Sequence, residues 1–391
     1  MRVLVVVPWE PWRVSDGIVL PMHHHLHALA GRHALTVVAG GSRSGAEQRR
    51  TGVDAALPDG VVVRWTGTGV PPGPDYVLRR LRSELSGEPA HVHWVERPAL
   101  LRAVDEEARR ADVVHLVGWG TAQLAARVAP VPAVHYAVDP WEPSWENRRL
   151  SRARRLADAG QRAKVGRHEA RHYPQAACVV VVAESDAAHL RATVPGVHVD
   201  VVPNGVDPGP APTPLPSAPV LGFHGAFETQ ANVDGATALV EQVLPRVRVT
   251  VPDARVLLVG RTPPRAVQAL AERPGVELRA DVPDVRAELD RVRVHVSWMP
   301  SGRGQKNKVL EALAAGRPAV VNALGASGIG PGGGLEVAPD LDAAAAAVVR
   351  LLQDDPHARA ASVAARERVL QEFTWEASAR GIERAWERAR R

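Results

Sequence analysis

The residues best placed to do chemistry lie in one window, residues 301–318, which reads SGRGQKNKVLEALAAGRP. It follows a short apolar run, and Ser301, Gly302 and Gly304 make a flexible turn before a well-patterned helix. The first amides of a helix have no carbonyl of their own helix to bond, and the helix dipole favours an anion there. Lys306 and Lys308 stand in that first turn, where a cation disfavours the helix unless an anion sits beside it. They are two of only three lysines, Lys164 being the third. Asn307 and Glu311 are four apart, one turn, so both can face one ligand. An ordinary turn with solvated lysines is the competing reading.

Other phosphate-binding patterns fail where they should appear. A dinucleotide fingerprint needs G-x-G-x-x-G after the first strand, and the chain has Pro8-Trp9-Glu10-Pro11 there. The P-loop pattern G-x-x-x-x-G-K-[ST] is absent, so hydride transfer and P-loop chemistry are not expected. His23, His24, His25 and His27 suggest a metal, but consecutive helix positions point about 100° apart. Only His23 and His27 could converge, with no evident carboxylate, so no metal site is expected. Cys178 is the sole cysteine, which excludes an intrachain disulfide and a thiolate zinc cluster.

The net charge of +5 is unevenly spread. Residues 148–171 hold nine basic residues against two acids, more than the whole excess. Such a segment fits an anionic surface or a phosphorylated substrate. No aromatics interleave for base stacking, so nucleic acid is not the expected partner, and a solvated helix face is the plainer reading. Lysines aside, the basic residues are arginines, which with 33 Gly and 33 Pro reads as coding bias rather than anion recognition.

The elements that must position these groups alternate. At 391 residues and 45% hydrophobic, two domains are expected. Runs at 3–7, 34–39, 61–65, 113–117, 133–137 and 179–182 read as buried strands separated by helical lengths, hence a doubly wound parallel sheet. Residues 208–219, PGPAPTPLPSAP, read as an extended linker. The alternation then restarts at 220–224, 255–259, 276–278, 294–298 and 319–322. A last amphipathic helix at 376–391 has Thr374 as its expected N-cap. The N-terminal apolar run is too short for a signal peptide, so a cytoplasmic protein is expected.

The second half resembles the retaining glycosyltransferases of family 4, which have the GT-B fold of two Rossmann-like doubly wound domains facing across a cleft. The residues that carry the resemblance are Gly222-Phe223-His224-Gly225 with Asn232-Val233-Asp234-Gly235, Val251-Pro252-Asp253-Ala254-Arg255 leading to Val259-Gly260-Arg261, and Gly275-Val276 with Asp281-Val282-Pro283-Asp284. Most specific is Arg303-Gly304-x-x-Asn307-Lys308-Val309-Leu310-Glu311-Ala312, continuing to Ala315-Gly316-Arg317-Pro318. In the first half, Asp112-Val113-Val114-His115 and Pro203-Asn204-Gly205-Val206-Asp207 are similar to the family.

The resemblance implies transfer of a sugar, with retention, from a UDP-, GDP- or TDP-sugar to a small-molecule or glycan acceptor, with no further cofactor and no obligatory metal. Glu311 would bond the donor ribose. Gly304, Gln305, Lys306, Asn307 and Lys308, with Gly17 and Gly225, would hold the diphosphate, and Asp281 and Val282 would meet the base. Arg303, Lys308 and Glu311 are the implied catalytic residues, although the family's usual glutamate eight positions before Glu311 is Arg303 here. Trp9, Trp12, His23, His24, His115, Trp119, Trp141 and Trp145 would line the acceptor side. The implied domains are 1–207 for the acceptor, a linker at 208–219, and 220–373 for the donor, with 374–391 packing back on the first. Monomer and homodimer both stay open, as do an epimerase or phosphorylase on the same fold and a non-catalytic anion binder acting through 148–171.

Overall fold

The apolar run near the N-terminus becomes the middle of a sheet. The computed structural model describes residues 1–9, 19–41, 57–67, 81–90, 92–141 and 152–391. It divides into two compact units, Met1–Val202 with Ser378–Arg391, and Pro203–Ala377. The first contains strands β1 (Arg2–Val7), β2 (Ala34–Ala39), β3 (Val62–Trp65), β4 (Val113–Val117), β5 (Ala133–Val138), β6 (Cys178–Val181) and β7 (Val199–Val201). The second contains β8 (Val220–His224), β9 (Arg255–Gly260), β10 (Val276–Ala280), β11 (Val294–Ser297), β12 (Ala319–Val321) and β13 (Leu335–Val337).

Each unit holds one wholly parallel sheet, ordered β3-β2-β1-β4-β5-β6-β7 and β10-β9-β8-β11-β12-β13. A parallel sheet needs cover on both faces, and β1 shows how sequence meets that need. Val3, Val5 and Val7 pack with Val19, Met22 and Leu26 of the helix Val19–Leu29. Leu4 and Val6, one pleat out of phase, pack with Leu100, Ala103 and Val104 of the helix Pro98–Ala108. Each buried valine, leucine or methionine among them contributes about 1.5–3 kcal/mol. The helix Trp375–Ala389 opens with Thr374 Oγ1 accepting from Ala377 N at 3.1 Å. Its Ala379, Ile382, Ala385 and Trp386 then join the core of the first unit.

The proline-rich stretch 208–219 is extended, with neither helix nor strand, and belongs to the second unit. Prolines carry no N–H, so this segment cannot join a sheet, and its carbonyls need donors from elsewhere. Arginines supply them. Arg366 donates to the carbonyls of Pro208, Gly209 and Pro210, and also to Ala314 O at 2.6 Å, at the end of the helix Asn307–Ala314. Arg317, fully buried, donates to Thr213 O at 2.8 Å, Thr213 Oγ1 at 2.6 Å and Asp290 Oδ1 at 3.2 Å. Arg293, also buried, reaches Pro216 O at 2.9 Å, Leu351 O at 3.1 Å and Asp355 Oδ1 at 2.8 Å. Part of the arginine excess therefore has a structural use that composition conceals. Lysine has three donors on one point, whereas guanidinium spreads five over a planar fork that spans several carbonyls.

Removing Arg317 takes the donor from the carbonyls of Thr213 and Pro214 and empties a fully buried site, while the half-exposed Asp290 keeps water and Thr213 as partners. Arg317→Ala is expected to lower stability by about 2–3 kcal/mol. Arg246→Ala, which breaks an exposed pair with Asp342, should cost less than about 1 kcal/mol. Denaturant unfolding of the full chain compares them, and equal losses would contradict a structural role for Arg317 in holding the proline-rich strap 208–219.

Candidate functional site

In the second sheet the chain leaves β8 toward β9 and leaves β11 toward β12, on opposite sides. Connections that diverge in this way open a crevice beyond the carboxyl ends of the two strands, where open α/β sheets bind ligands. Gly225 follows β8, and the turn Ser301–Lys306 follows β11. The helix Asn307–Ala314 then buries Val309, Leu310, Leu313 and Ala314 against β12, β13 and the helix Asp355–Glu372. That stripe fixes the rotation of the helix and leaves Asn307, Lys308 and Glu311, all half-buried, off the packed face.

The Lys308 ammonium donates to Asn232 Oδ1 and lies 4.4 Å from the centre of the Phe223 ring. Asn232 in turn donates to Ala226 O at 2.7 Å. Burial, reinforced by nearby Lys306 and only partly opposed by Glu311, pushes the Lys308 amine down to about 7. Glu311 Oε2 lies 2.7 Å from His224 Nε2. Burial raises the Glu311 carboxyl, but the His224 hydrogen bond and the His224 and Lys308 charges outweigh it and hold the group below its ordinary value. Gly225 permits the assembly, because a Cβ there would stand 3.0 Å from Asn232 Nδ2 and 3.1 Å from Lys308 Nζ. Gly260 at the end of β9 is more strictly required, since its Cβ would fall 2.1 Å from Gly225 O.

The turn is fixed from within and from the side. Lys306 is buried and donates to Arg303 O at 2.7 Å and Gly304 O at 2.9 Å, so its ammonium braces the turn. Gln305 Oε1 accepts from Asn204 N at 2.6 Å, while Gln305 Nε2 donates to Asn204 O at 3.2 Å. Asn307 Oδ1 accepts from Asn204 Nδ2 at 3.4 Å. Gly302 and Gly304 take φ of 120° and 65°, values open to glycine. Asp281, at φ 51°, follows β10 and accepts from Thr262 N at 2.9 Å. Val282 packs with Leu257, Val259 and Val292.

Lys308, Glu311 and Gly225 thus come together, Gly304, Gln305, Lys306 and Asn307 form the adjoining turn with Arg303, and Asp281 and Val282 stand beyond the next strands. His224 and Asn232 complete the cluster, although the sequence offered them only as parts of motifs. The available signal was a histidine beside a glycine at a strand end and an asparagine in the helix that follows.

In the first unit the divergence falls between β1 and β4. Trp9 follows β1, and its indole lies against Gly118 after β4, whose Cβ would be 2.2 Å from the ring. Trp119 stacks on buried Trp141 with centroids 5.8 Å apart and donates to Asp139 O at 2.9 Å. His23 is buried beside His27, rings 4.4 Å apart, while His24 is half-buried. Burial, then the charges of His27 and His24, push His23 down to about 4. His115 is buried in the core, where its Nδ1 accepts from Trp386 Nε1 at 3.1 Å. Gly17, Trp12 and Trp145 lie outside the described residues.

Because the chain has three lysines, selective ¹³C labelling resolves each side chain. One lysine signal is expected to titrate with a midpoint near 7, and to vanish in Lys308→Met. Three signals that stay fixed from about pH 6 to about pH 8.5 would contradict the buried ammonium.

Two family models divide the chain. "Glycosyl transferases group 1" matches residues 218–354, and "Glycosyl transferase 4-like domain" matches residues 16–205. No curated protein matches the sequence. Among solved structures, Anabaena Alr3699/HepE in complex with UDP and glucose is similar, with a TM-score of 0.62 and 15% identity over 98% of each chain. TarM has a TM-score of 0.70 and 10% identity over 98% of each chain. A glycosyltransferase from Rickettsia africae ESF-5 has a TM-score of 0.61 and 13% identity over 99% of this chain and 98% of its own. Identities this low establish the fold, which is GT-B, while the family models speak for the sequence. The chain belongs to the GT-B glycosyltransferases, and family 4 is the family that its 4-like domain fits.

Proposed function

We propose that this glycosyltransferase is a retaining enzyme that moves a sugar from a nucleoside diphosphate to a hydroxyl of a small-molecule or glycan acceptor. The observation that carries the reading is the convergence of Gly225, Lys308 and Glu311 where the second sheet's connections diverge. That position is the expected one for a nucleotide in an open α/β sheet.

In this reading the amides of residues 304–307 and the Lys308 ammonium hold the diphosphate. A departing diphosphate gains negative charge, and fixed donors that need no rearrangement stabilise it most. Lys308 is suited to this, since an anion at its side restores the proton that burial disfavours. Glu311, kept ionised, accepts from the donor ribose, with His224 orienting the carboxylate. Asp281 and Val282 meet the base. Arg303 stands at the turn, where a cation suits a phosphate or an anionic group on the sugar. No side chain is assigned as base, because in a front-face displacement a leaving phosphate oxygen takes the acceptor's proton. Metal is not required for this charge balance, since Lys308 and the helix start face the diphosphate.

The first unit would supply the acceptor surface from Trp9, His23, His24, Trp119 and Trp141. HepE was solved with UDP-glucose, and an S. aureus TarM variant with UDP and alpha-GlcNAc-glycerol, so a UDP-sugar is the first donor to try. No described helix is long and apolar enough to cross a membrane.

A thermal-shift screen against UDP, GDP, ADP and TDP is expected to show stabilisation of several degrees with one of them. With the matching sugar nucleotide, Lys308→Ala and Glu311→Ala should each reduce transfer about a hundredfold and weaken nucleotide binding. Unaltered turnover in both variants would overturn the site assignment. An isomerised sugar nucleotide as the only product would replace transfer by epimerisation.

A further inference from the structure

The first unit contains a second cluster of side chains that the transfer reaction does not use. His168 and His172 are four apart on the helix Arg152–His172, one turn, and so share a face. Glu88, from the segment 81–90, meets both. His168 Nδ1 is 2.7 Å from Glu88 Oε2, and His172 Nε2 is 3.6 Å from Glu88 Oε1. One ligand atom from each of the three lies within 4.8 Å of the others.

The ring geometry makes the arrangement informative. His172 Nδ1 lies 3.2 Å from Gln175 Oε1, which leaves Nε2 as the ring nitrogen on the side of Glu88 Oε1, 3.6 Å away. A cation between Nε2 and the carboxylate would be held by both. Arg171 Nη1 comes within 3.8 Å of the same oxygen, but its side chain is 73% exposed and free to swing into water. His168 is fully buried against the edge of Trp141, ring centroids 6.0 Å apart, which fixes its orientation.

We propose that Glu88, His168 and His172 bind a divalent transition-metal ion, with zinc the best match. Two imidazoles and one carboxylate are the borderline donors that suit zinc, cobalt, nickel and copper rather than calcium or magnesium. Zinc bonds of about 2.0–2.2 Å in a tetrahedron place ligand atoms about 3.3 Å apart, between the 2.7 and 3.6 Å that separate the two imidazoles from the Glu88 oxygens. The ion takes the place of the proton shared by His168 and Glu88, so binding releases that proton, and Gln175 holds the His172 tautomer as an outer partner. Three protein ligands leave one position for water. The site ties the segment 81–90 to the basic helix, and its residues are distinct from those assigned to the donor.

A comparison within the same unit shows what an unsuitable cluster looks like. Cys178, His198 and Asp200 are also close, but Arg388 already neutralises Asp200, and the Cys178 thiol donates to that carboxylate at 3.0 Å. The Glu88 site has no such buried arginine among the described residues.

The test is cobalt(II) titration of the chelator-stripped full chain, followed by the visible absorption of tetrahedral cobalt and by displacement with zinc. One equivalent is expected, with affinity at least about tenfold lower in His172→Ala and in Glu88→Gln. A His23→Ala/His27→Ala double variant, which removes another close histidine pair of the same unit, should bind as the parent does. Zinc should also raise the thermal midpoint of the parent and fail to do so in His172→Ala. Absence of cobalt uptake, or equal affinity in parent, His172→Ala and Glu88→Gln, would overturn the site.

Discussion

The donor-side cluster turns on one ammonium that has lost most of its water. Lys308 sits over the Phe223 ring and against Asn232, with Glu311 one turn away, and burial brings its amine near neutrality. A lysine in that condition is strained toward whatever anion restores its charge. The surroundings follow from the need to hold it there. Gly225 and Gly260 carry no side chain because their neighbours already occupy that space. Lys306 and Gln305 lock the turn that starts the helix, and the stripe from Val309 to Ala314 sets the direction in which Lys308 and Glu311 point.

Arginine has a different task. The proline-rich strap beside the second sheet is a row of carbonyls in which every proline lacks an amide, and Arg293, Arg317 and Arg366 close it down from the inside. Arg366 binds both the strap and the last turn of the helix Asn307–Ala314, so the segment that enters the sheet also steadies the helix that presents Lys308 and Glu311. An arginine count read as composition alone could not show this, because a carbonyl's need for a donor is set by tertiary position.

Much of the fold was legible because parallel sheets impose a simple code. The short, mainly apolar runs at β1, β2 and β4 read as doubly covered strands, and the structure places strands there. The helix Glu184–Thr193 and strand β13 were not anticipated, since one has a weak amphipathic pattern and the other is three residues long. The donor window was visible for a chemical reason, the survival of lysine where arginine is the rule. Its partners His224 and Asn232 were not, because their roles arise where the end of β8 and the helix Gln230–Ala238 meet the helix Asn307–Ala314. The Glu88 cluster escaped for the same reason, its two histidines being hidden in a helix read only for charge.

The most direct test of the account is amide hydrogen exchange of the full chain with and without the nucleoside diphosphate that stabilises it. Slower exchange concentrated at residues 224–226 and 301–311, and abolished in Lys308→Ala, is the predicted result. Protection elsewhere, with those segments unchanged while the nucleotide is bound, would contradict a donor site at the diverging ends of β8 and β11.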